Sequence, residues 1–221
     1  MDTSAARERI LARIRSRQGR DAAAKPAEQQ EAQAWLAAHP RGPLPALGPD
    51  LTTHFVTMAE RMASTVDRVP TWREAPAAVA AYLAARALPV RAVAHDTLRD
   101  LAWAGAGLDV EFRPPRDEDA VSLTACFCAV AETGSLVFAS GPHSWVSAHL
   151  LPETHVVVLP VSRIVPYAED AFASMRRELG EMPRGFNMVS GPSRTGDIEQ
   201  TIVLGAHGPY RVHVVLVDDA A

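Results

Sequence analysis

The chain has 221 residues, of which 48% are hydrophobic, so it can form one large domain, or one domain with an extension, around a sizeable core. Its net charge of −4 argues against a general nucleic-acid-binding protein, which would carry an excess of basic residues. No run approaches the roughly 18 apolar residues of a membrane-spanning helix, and the first residues contain no apolar signal-peptide core. We therefore expect a soluble, cytoplasmic protein without a membrane span.

The first 20 residues predict a short basic helix. They contain six arginines against two acidic residues, and Ile10, Leu11 and Ile14 share one side at helical spacing. A solvated or partner-docking arm fits this pattern better than a membrane-surface helix, because the apolar face is small. A second helix is predicted around residues 27–38, and the Pro- and Gly-rich stretch 39–45 breaks it. We predict a helical N-terminal extension over residues 1–45 and a main domain over residues 46–221.

Strands that alternate with helices predict an α/β main domain. Helices are expected over residues 51–64, 73–85, 96–103 and 167–179. Strands are expected over residues 89–94, 109–112, 122–130, 135–139, 155–159, 186–189 and 211–217. This alternation indicates a mostly parallel sheet covered on both faces. In such sheets, ligands bind beyond the carboxyl ends of the strands.

Two cysteines, Cys126 and Cys128, lie in the predicted strand 122–130. Residues two apart in a strand face the same side, and two small core side chains are favoured over a vicinal redox pair. Two thiols cannot supply the four thiolates that an iron–sulfur cluster normally needs. Any such cluster would therefore belong to a partner protein.

A polar turn follows the predicted strand 122–130. Glu132 lies in an otherwise apolar setting, where a carboxylate is costly unless it is paired or exposed in a cleft. Gly134 permits a turn or the close approach of a ligand, and Thr133 lies between them. One interpretation makes Glu132 a nucleophile, a general base or a binding carboxylate. The other makes it the partner of Arg194 in a structural ion pair.

A second polar junction, residues 190–199, follows the predicted strand 186–189. Gly191 begins a break, after which Ser193 or Thr195 can cap a helix that starts near Asp197. Free N–H groups at the start of this helix, with the guanidinium of Arg194 beside them, would bind an anion. The alternative is a tight, well-capped turn without a ligand.

Further along, His207 lies between Gly205 and Gly208 and could donate a proton at neutral pH or cap the end of a helix. The dinucleotide fingerprint, the P-loop and the serine-hydrolase elbow are absent from the sequence. His143, His149 and His155 recur every six residues and share no helix or strand face, so we predict no metal site. The candidate catalytic residues are Glu132 and His207. The candidate ligand-binding residues are Thr133, Gly134, Gly191, Ser193, Arg194, Thr195 and Asp197.

Several of these segments together resemble a known family. The segments AETGSLV at 131–137, LLPETH at 150–155, IVP at 164–166, SGPSRTGDIE at 190–199 and GAHGP at 205–209 occur in this order. This order is similar to that of the LutC/YkgG family, the lactate-utilisation proteins C, whose LUD domain was formerly of unknown function. The family usually shows Ala where this chain has Gly196. The resemblance covers about residues 51–218.

The resemblance implies a Rossmann-like three-layer sandwich, similar to the NagB/RpiA/CoA-transferase group. It also implies a role in oxidising L-lactate to pyruvate together with iron–sulfur partner proteins, with no cofactor on this chain itself. Two alternatives remain open. The chain could be a stand-alone enzyme that acts on an acyl-CoA or sugar-phosphate-like substrate through Glu132, or a non-catalytic adaptor for an iron–sulfur partner.

Overall fold

A computed structural model of the protein describes residues 3–19, 25–196 and 203–219. The chain divides into two compact units, residues 1–44 and residues 45–221. The first unit contains helices α1 (Ser4–Arg17) and α2 (Lys25–Ala38). No residue of α1 is buried, and the side chains of Ile10 and Ile14 are exposed. The predicted basic helix is therefore present, with its apolar stripe facing solvent.

In the second unit, the described residues form three helices and twelve strands. They are α3 (Leu51–Arg61), β1 (Thr65–Val69), α4 (Ala75–Ala85), β2 (Arg91–Ala94), β3 (Asp109–Glu111), β4 (Val121–Ala125), β5 (Cys128–Val130), β6 (Ser135–Ala139), β7 (Thr154–Pro160), β8 (Ile164–Val165), α5 (Ala168–Leu179), β9 (Phe186–Val189), β10 (Arg194–Thr195), β11 (Val203–Leu204) and β12 (Arg211–Val217).

Six strands form the main sheet, in the order β1-β12-β7-β4-β2-β3. Every neighbouring pair in it is parallel. The central strands β7 and β12 are buried along almost their whole length, as expected for strands covered on both faces. The predicted α/β fold with a mostly parallel sheet is confirmed.

Helix α4 covers one face of the main sheet. Val79 and Leu83 of α4 are fully buried and pack against alternate residues of the central strands, including Val156 and Val215. Because strand residues alternate between faces, Val157 and Val214 belong to the opposite core. The pattern of β-branched residues in these strands therefore serves two cores at once.

The opposite face is covered by α3 and by a second, smaller sheet. Phe55 and Ala59 of α3 and Phe138 of β6 share one core with the main sheet. The smaller sheet has the order β8-β5-β6-β9, and α5 covers its outer side through Ala171 and Met175. The sequence did not predict this second sheet, which separates α5 from the main sheet.

The largest correction concerns the single strand expected over 122–130. The chain forms β4 in the main sheet, leaves it at Cys126 and enters the smaller sheet as β5, where the amide of Phe127 already donates to the carbonyl of Val137 at 2.8 Å. Cys126 packs in the core between the sheets and Cys128 in the core under α5, so the two thiols do not share a face. Burial raises the pKa of both thiols, to about 12 for Cys128.

Other element predictions need smaller corrections. The helix expected over 96–103 is replaced by two short 3₁₀ turns, Asp96–Leu98 and Ala104–Ala106. Strand β1 was not predicted at all. Within the helix expected over 167–179, Leu179 is 45% exposed because it lies in the last turn of α5, just before Gly180.

Candidate functional site

The three polar segments identified in the sequence meet at one place. The turn between β5 and β6 touches the loop after β9, since the hydroxyl oxygens of Ser135 and Ser190 are 2.6 Å apart. The loop after β9 in turn pairs with the loop before β12. The amide of Ser193 donates to the carbonyl of Pro209, and the amide of Gly205 donates to the carbonyl of Ser193, both at 2.9 Å. We call these three segments, residues 131–135, 190–196 and 205–209, the motif cluster.

The glycines of the motif cluster lie against helix α3. A Cβ atom at Gly134 would be 2.4 Å from the amide nitrogen of Ala59, and one at Gly191 would be 2.0 Å from the carbonyl oxygen of Met62. Both glycines also have a positive φ, of 65° and 80°, a conformation that is costly for other residues. The geometry explains both glycines by the close approach of two turns to a helix, without a ligand.

Arg194 lies at the C-terminal end of α3. Its Nη2 atom donates to the carbonyl of Met62 at 3.0 Å, where a cation is favoured by the helix dipole. The side chain is exposed, and the residue belongs to β10, which pairs with β11 in a two-stranded antiparallel ribbon. A guanidinium has five donors, so this bond leaves others for an anion.

Glu132 is half-buried and Thr133 is exposed. The amide of Glu132 donates to the carbonyl of Pro166 at 3.1 Å, and the hydroxyl of Thr133 lies 2.7 Å from that of Ser135. Within the described residues, the carboxylate of Glu132 makes no ion pair with Arg194 or with another base. The structural ion pair considered from the sequence is therefore not present, and the two side chains remain separate candidates on the same cluster.

The remaining predicted site residues lie at the rim of the cluster. His207 is exposed in the loop before β12, Ser193 is half-buried, and Thr195 pairs with Val203 in the ribbon. Asp197 and the helix expected to begin near it lie outside the described residues. The anion site expected at the start of that helix therefore stays a prediction.

The position of the motif cluster differs from the one expected. Glu132 and Ser190 follow β5 and β9 of the smaller sheet, and these strands run in the same direction because each is antiparallel to β6. The loop at 205–209 precedes β12, and the amide of Arg211 donates to the carbonyl of Glu153, just before β7, at 2.9 Å. The cluster therefore joins the carboxyl edge of the smaller sheet to the amino edge of the main sheet. Both turns follow strands that run in the same direction, as expected, but these strands belong to the smaller sheet and not to the main parallel sheet.

A family model described as the LUD domain matches residues 52–217, which is about three quarters of the chain. The chain belongs to the LUD domain family. The match includes every segment of the motif cluster. It also includes the strands of the main sheet and of the smaller sheet.

Curated relatives of this LUD domain are named lactate utilization protein C. The protein from an Exiguobacterium species is 35% identical over 102 residues, which are 45% of this chain and 44% of the relative. The one from Bacillus subtilis is 34% identical over 102 residues, which are 45% of this chain and 42% of the relative. The aligned part thus spans less than half the length of these relatives. The resemblance inferred from the motifs is confirmed.

A solved structure shares the fold of this LUD domain. It is the crystal structure of a DUF162 family protein from Deinococcus radiodurans, with a TM-score of 0.58 and 22% identity, covering 78% of this chain and 99% of that chain. At this identity the likeness shows the fold alone. In the described part of the chain, no helix is long and apolar enough to cross a membrane.

The LUD domain also contains three buried histidines that sequence reasoning did not connect. The rings of His149 and His155 are 5.9 Å apart, and that of His95 is 6.5 Å from His149. They lie between the two sheets, where His149 stacks on Phe138 at 4.4 Å. The spacing of His149 and His155 was visible in the sequence, but only the tertiary fold brings His95, which follows β2, beside them.

Burial keeps these imidazoles neutral. Desolvation lowers the pKa of His149 to about 4 and lowers the pKa values of His95 and His155 as well. The Nε2 atom of His155 lies 2.7 Å from the hydroxyl of Thr124. Within residues 3–19, 25–196 and 203–219, no group of three or more His, Cys, Asp or Glu side chains is placed to hold a metal ion. The histidines therefore form a buried polar part of the core.

Proposed function

We propose that the protein acts in lactate utilisation, as a cytoplasmic subunit that supports the oxidation of L-lactate to pyruvate together with iron–sulfur partner proteins. The observation that carries this proposal is the LUD domain match over residues 52–217, together with relatives that are named lactate utilization protein C. The motif cluster lies entirely inside the matched region. Its convergence in space supports one shared role for its segments.

In this proposal the iron–sulfur clusters belong to the partners. A cluster normally needs four thiolates, whereas this chain has two cysteines. Their side chains lie in two different cores and burial raises the pKa of both thiols, so neither is suited to act as a thiolate ligand. These residues do not fit a cluster, and we derive no electron-transfer step through this chain.

The chain would contribute a binding site for a small anionic ligand, and Arg194 is its proposed centre. A guanidinium matches the geometry of a carboxylate and can bind it through two parallel hydrogen bonds. The carboxylate of Glu132 accepts a hydrogen bond from the hydroxyl of L-lactate in this proposal, and the hydroxyls of Thr133 and Ser193 lie on the same cluster. The hydrogen bond from Arg194 to Met62 supports this role because it restricts the arginine before a ligand binds.

Growth on L-lactate tests the proposal. A strain that lacks the gene is complemented with the wild type, with Arg194→Ala or with Arg176→Ala, which removes an exposed arginine on α5 as a matched control. We expect growth on L-lactate from the wild type and the control only, equal growth of all strains on pyruvate, and equal amounts of each variant by immunoblot. Normal growth of the empty strain on L-lactate would reject the role, and full rescue by Arg194→Ala would reject the assignment of Arg194.

Co-purification tests the proposed partners. The protein carrying an affinity tag is isolated from its native cell grown on L-lactate, and the iron and acid-labile sulfide in the eluate are measured. We expect iron–sulfur proteins to be retained with the wild type and the purified chain alone to contain no iron. Recovery of the chain by itself from lactate-grown cells, at every salt concentration used, would contradict the proposed assembly.

A further inference from the structure

A cavity of about 690 Å³ lies beside β1, the edge strand of the main sheet. Its walls come from β1, from the C-terminal half of α4 and from His213 of β12. The cavity is open to solvent on one side, and its volume falls within the range typical of small-molecule clefts. None of its lining residues belongs to the motif cluster or is used in the proposed function.

A buried imidazole with an unsatisfied nitrogen lines this cavity. His213 is 1% exposed, its ring stacks flat on Tyr82 at 3.7 Å, and its Nδ1 atom lies 2.9 Å from the hydroxyl of Thr65. Its Nε2 atom is buried without a hydrogen-bond partner among the described residues. Buried polar atoms are normally hydrogen-bonded, so this nitrogen is not explained by the packing of the fold.

The carboxylate of Asp67 faces the Nε2 atom of His213. An Oδ atom of Asp67 lies 3.6 Å from Nε2, too far for a hydrogen bond but close enough to favour the tautomer with the proton on Nε2. Thr65 then donates its hydroxyl hydrogen to Nδ1. His213 is thus held by stacking and by Thr65, with an N–H donor beside an exposed carboxylate.

The cavity presents charges of both signs next to an apolar wall. Arg86 is placed over the ring of Tyr82, 5.2 Å from its centroid, while Asp67 and Glu60 supply carboxylates. Two carboxylates disfavour a simple anion, and Arg86 disfavours a simple cation. The small apolar side chains of Ala81 and Ala85, both on α4, complete the lining. A ligand that satisfies all of these groups carries an anionic end, a cationic end and an apolar part.

We propose that this cavity binds an α-amino acid with an apolar side chain. Arg86 binds the carboxylate, Asp67 binds the ammonium group, and the side chain lies along Ala81 and Ala85. The N–H of His213 faces Asp67 and stabilises its carboxylate in the position that binds the ammonium group. The site is separate from Arg194, and its binding does not depend on a role in lactate utilisation.

Purified full-length protein is first screened by thermal shift against the twenty L-amino acids at millimolar concentration. The ligand requirement is then tested by calorimetric titration with L-leucine, with 4-methylpentanoate, which lacks the ammonium group, and with 3-methylbutylamine, which lacks the carboxylate. We expect apolar amino acids to raise the melting temperature and L-leucine to bind at least about tenfold more tightly than either analogue. No shift with any amino acid, or equal binding of leucine and one analogue, would overturn the proposal.

Variants then locate the site. Arg86→Gln and Asp67→Asn each remove one charge from an exposed side chain and should weaken leucine binding at least about tenfold. Arg176→Gln and Asp117→Asn are the matched controls at exposed positions outside the cavity, and they should bind as the wild type does. Urea unfolding shows whether each variant is folded. Wild-type affinity in both folded cavity variants would place any amino-acid site elsewhere and reject the assignment.

Discussion

At the scale of single residues, the glycines of the motif cluster are constrained by helix α3. The contacts that a Cβ atom would make at Gly134 and Gly191 are with helix backbone, which cannot move aside as a flexible side chain can. Their role is to let two turns approach the helix closely enough for Arg194 to reach the carbonyl of Met62. The glycines therefore position the cluster, and the polar side chains remain available for a ligand.

Replacing Gly134 with alanine should destabilise the protein by about 2–5 kcal/mol. A positive φ costs alanine roughly 1–2 kcal/mol, and the contact with α3 adds an overpacking cost of roughly 1–3 kcal/mol. Urea unfolding followed by circular dichroism measures the change. Gly48→Ala is the control, since its Cβ would meet nothing within 4 Å. Equal stability of the two variants would show that α3 does not constrain the turn.

At the scale of elements, the beginning of α3 depends on one side chain. The carboxylate of Asp50 accepts hydrogen bonds from the amides of Thr52 and Thr53 at 3.0 and 3.1 Å. This N-cap places the helix so that Phe55 and Ala59 enter the core and its C-terminal end meets the motif cluster. The cap thus links a local sequence signal to the position of the candidate site.

Asp50→Ala should lower the free energy of unfolding by about 0.5–2 kcal/mol, as is usual for the loss of an N-cap. Asp50→Asn keeps an acceptor for the amides and should retain most of the stability. Chemical unfolding of both variants at pH 7 provides the comparison. If the alanine variant were as stable as the asparagine variant, the cap would not contribute to the position of α3.

The elements that the sequence predicted well are those with one unambiguous pattern. Strands β7 and β12 are almost continuous apolar runs, and α5 shows helical periodicity between an acidic first turn and Gly180. The apolar run over 122–130 was predicted as one long strand, but it forms two strands, β4 and β5. Two strands buried in different sheets have the same apolar pattern as one long strand. Strand β1 was missed because Asp67 and Arg68 are exposed at the sheet edge.

The candidate site was predictable only in part. The polar, glycine-rich composition of residues 131–135 and 190–196 indicated that these turns are candidate ligand-binding segments. The structure brings the two turns together. Their contact with α3 was not predictable, since nothing near Met62 in the sequence indicates that a carbonyl there receives a guanidinium. The association of His95 with His149 depends on strand order, and strand order is set by the tertiary fold.

At the scale of the whole molecule, the buried histidines make the fold sensitive to acid. Burial lowers the pKa of both His149 and His213 from an ordinary value of 6.5 to about 4. Between about pH 6.5 and pH 4, these histidines therefore bind protons in the unfolded chain but not in the folded protein. The contribution of the two histidines to the free energy of unfolding is therefore complete above about pH 6.5 and decreases as the pH falls towards 4.

Unfolding measured between pH 7.5 and 4.5 should show a steep loss of stability in the lower part of this range. For His149, a pKa lowered from 6.5 to about 4 corresponds to about 3 kcal/mol, a large part of the 5–15 kcal/mol typical of a folded protein. The lowered pKa of His213 acts in the same direction. Carboxylates with a lowered pKa, such as Asp119 beside Arg113, lose their contribution at lower pH, below about 4. A free energy of unfolding that stays constant from pH 6.5 to 4.5 would contradict neutral, buried histidines.

A calorimetric titration of L-lactate into the purified chain tests directly whether this LUD domain binds a small carboxylate through Arg194. We predict saturable binding to the wild type and binding weakened by about 1–3 kcal/mol in Arg194→Lys, which keeps the charge but loses the planar fork. Arg176→Lys should bind as the wild type does, and both variants should unfold at nearly the same urea concentration as the wild type. Equal affinity for L-lactate in the wild type and in Arg194→Lys, or no binding to either, would contradict a carboxylate site at Arg194.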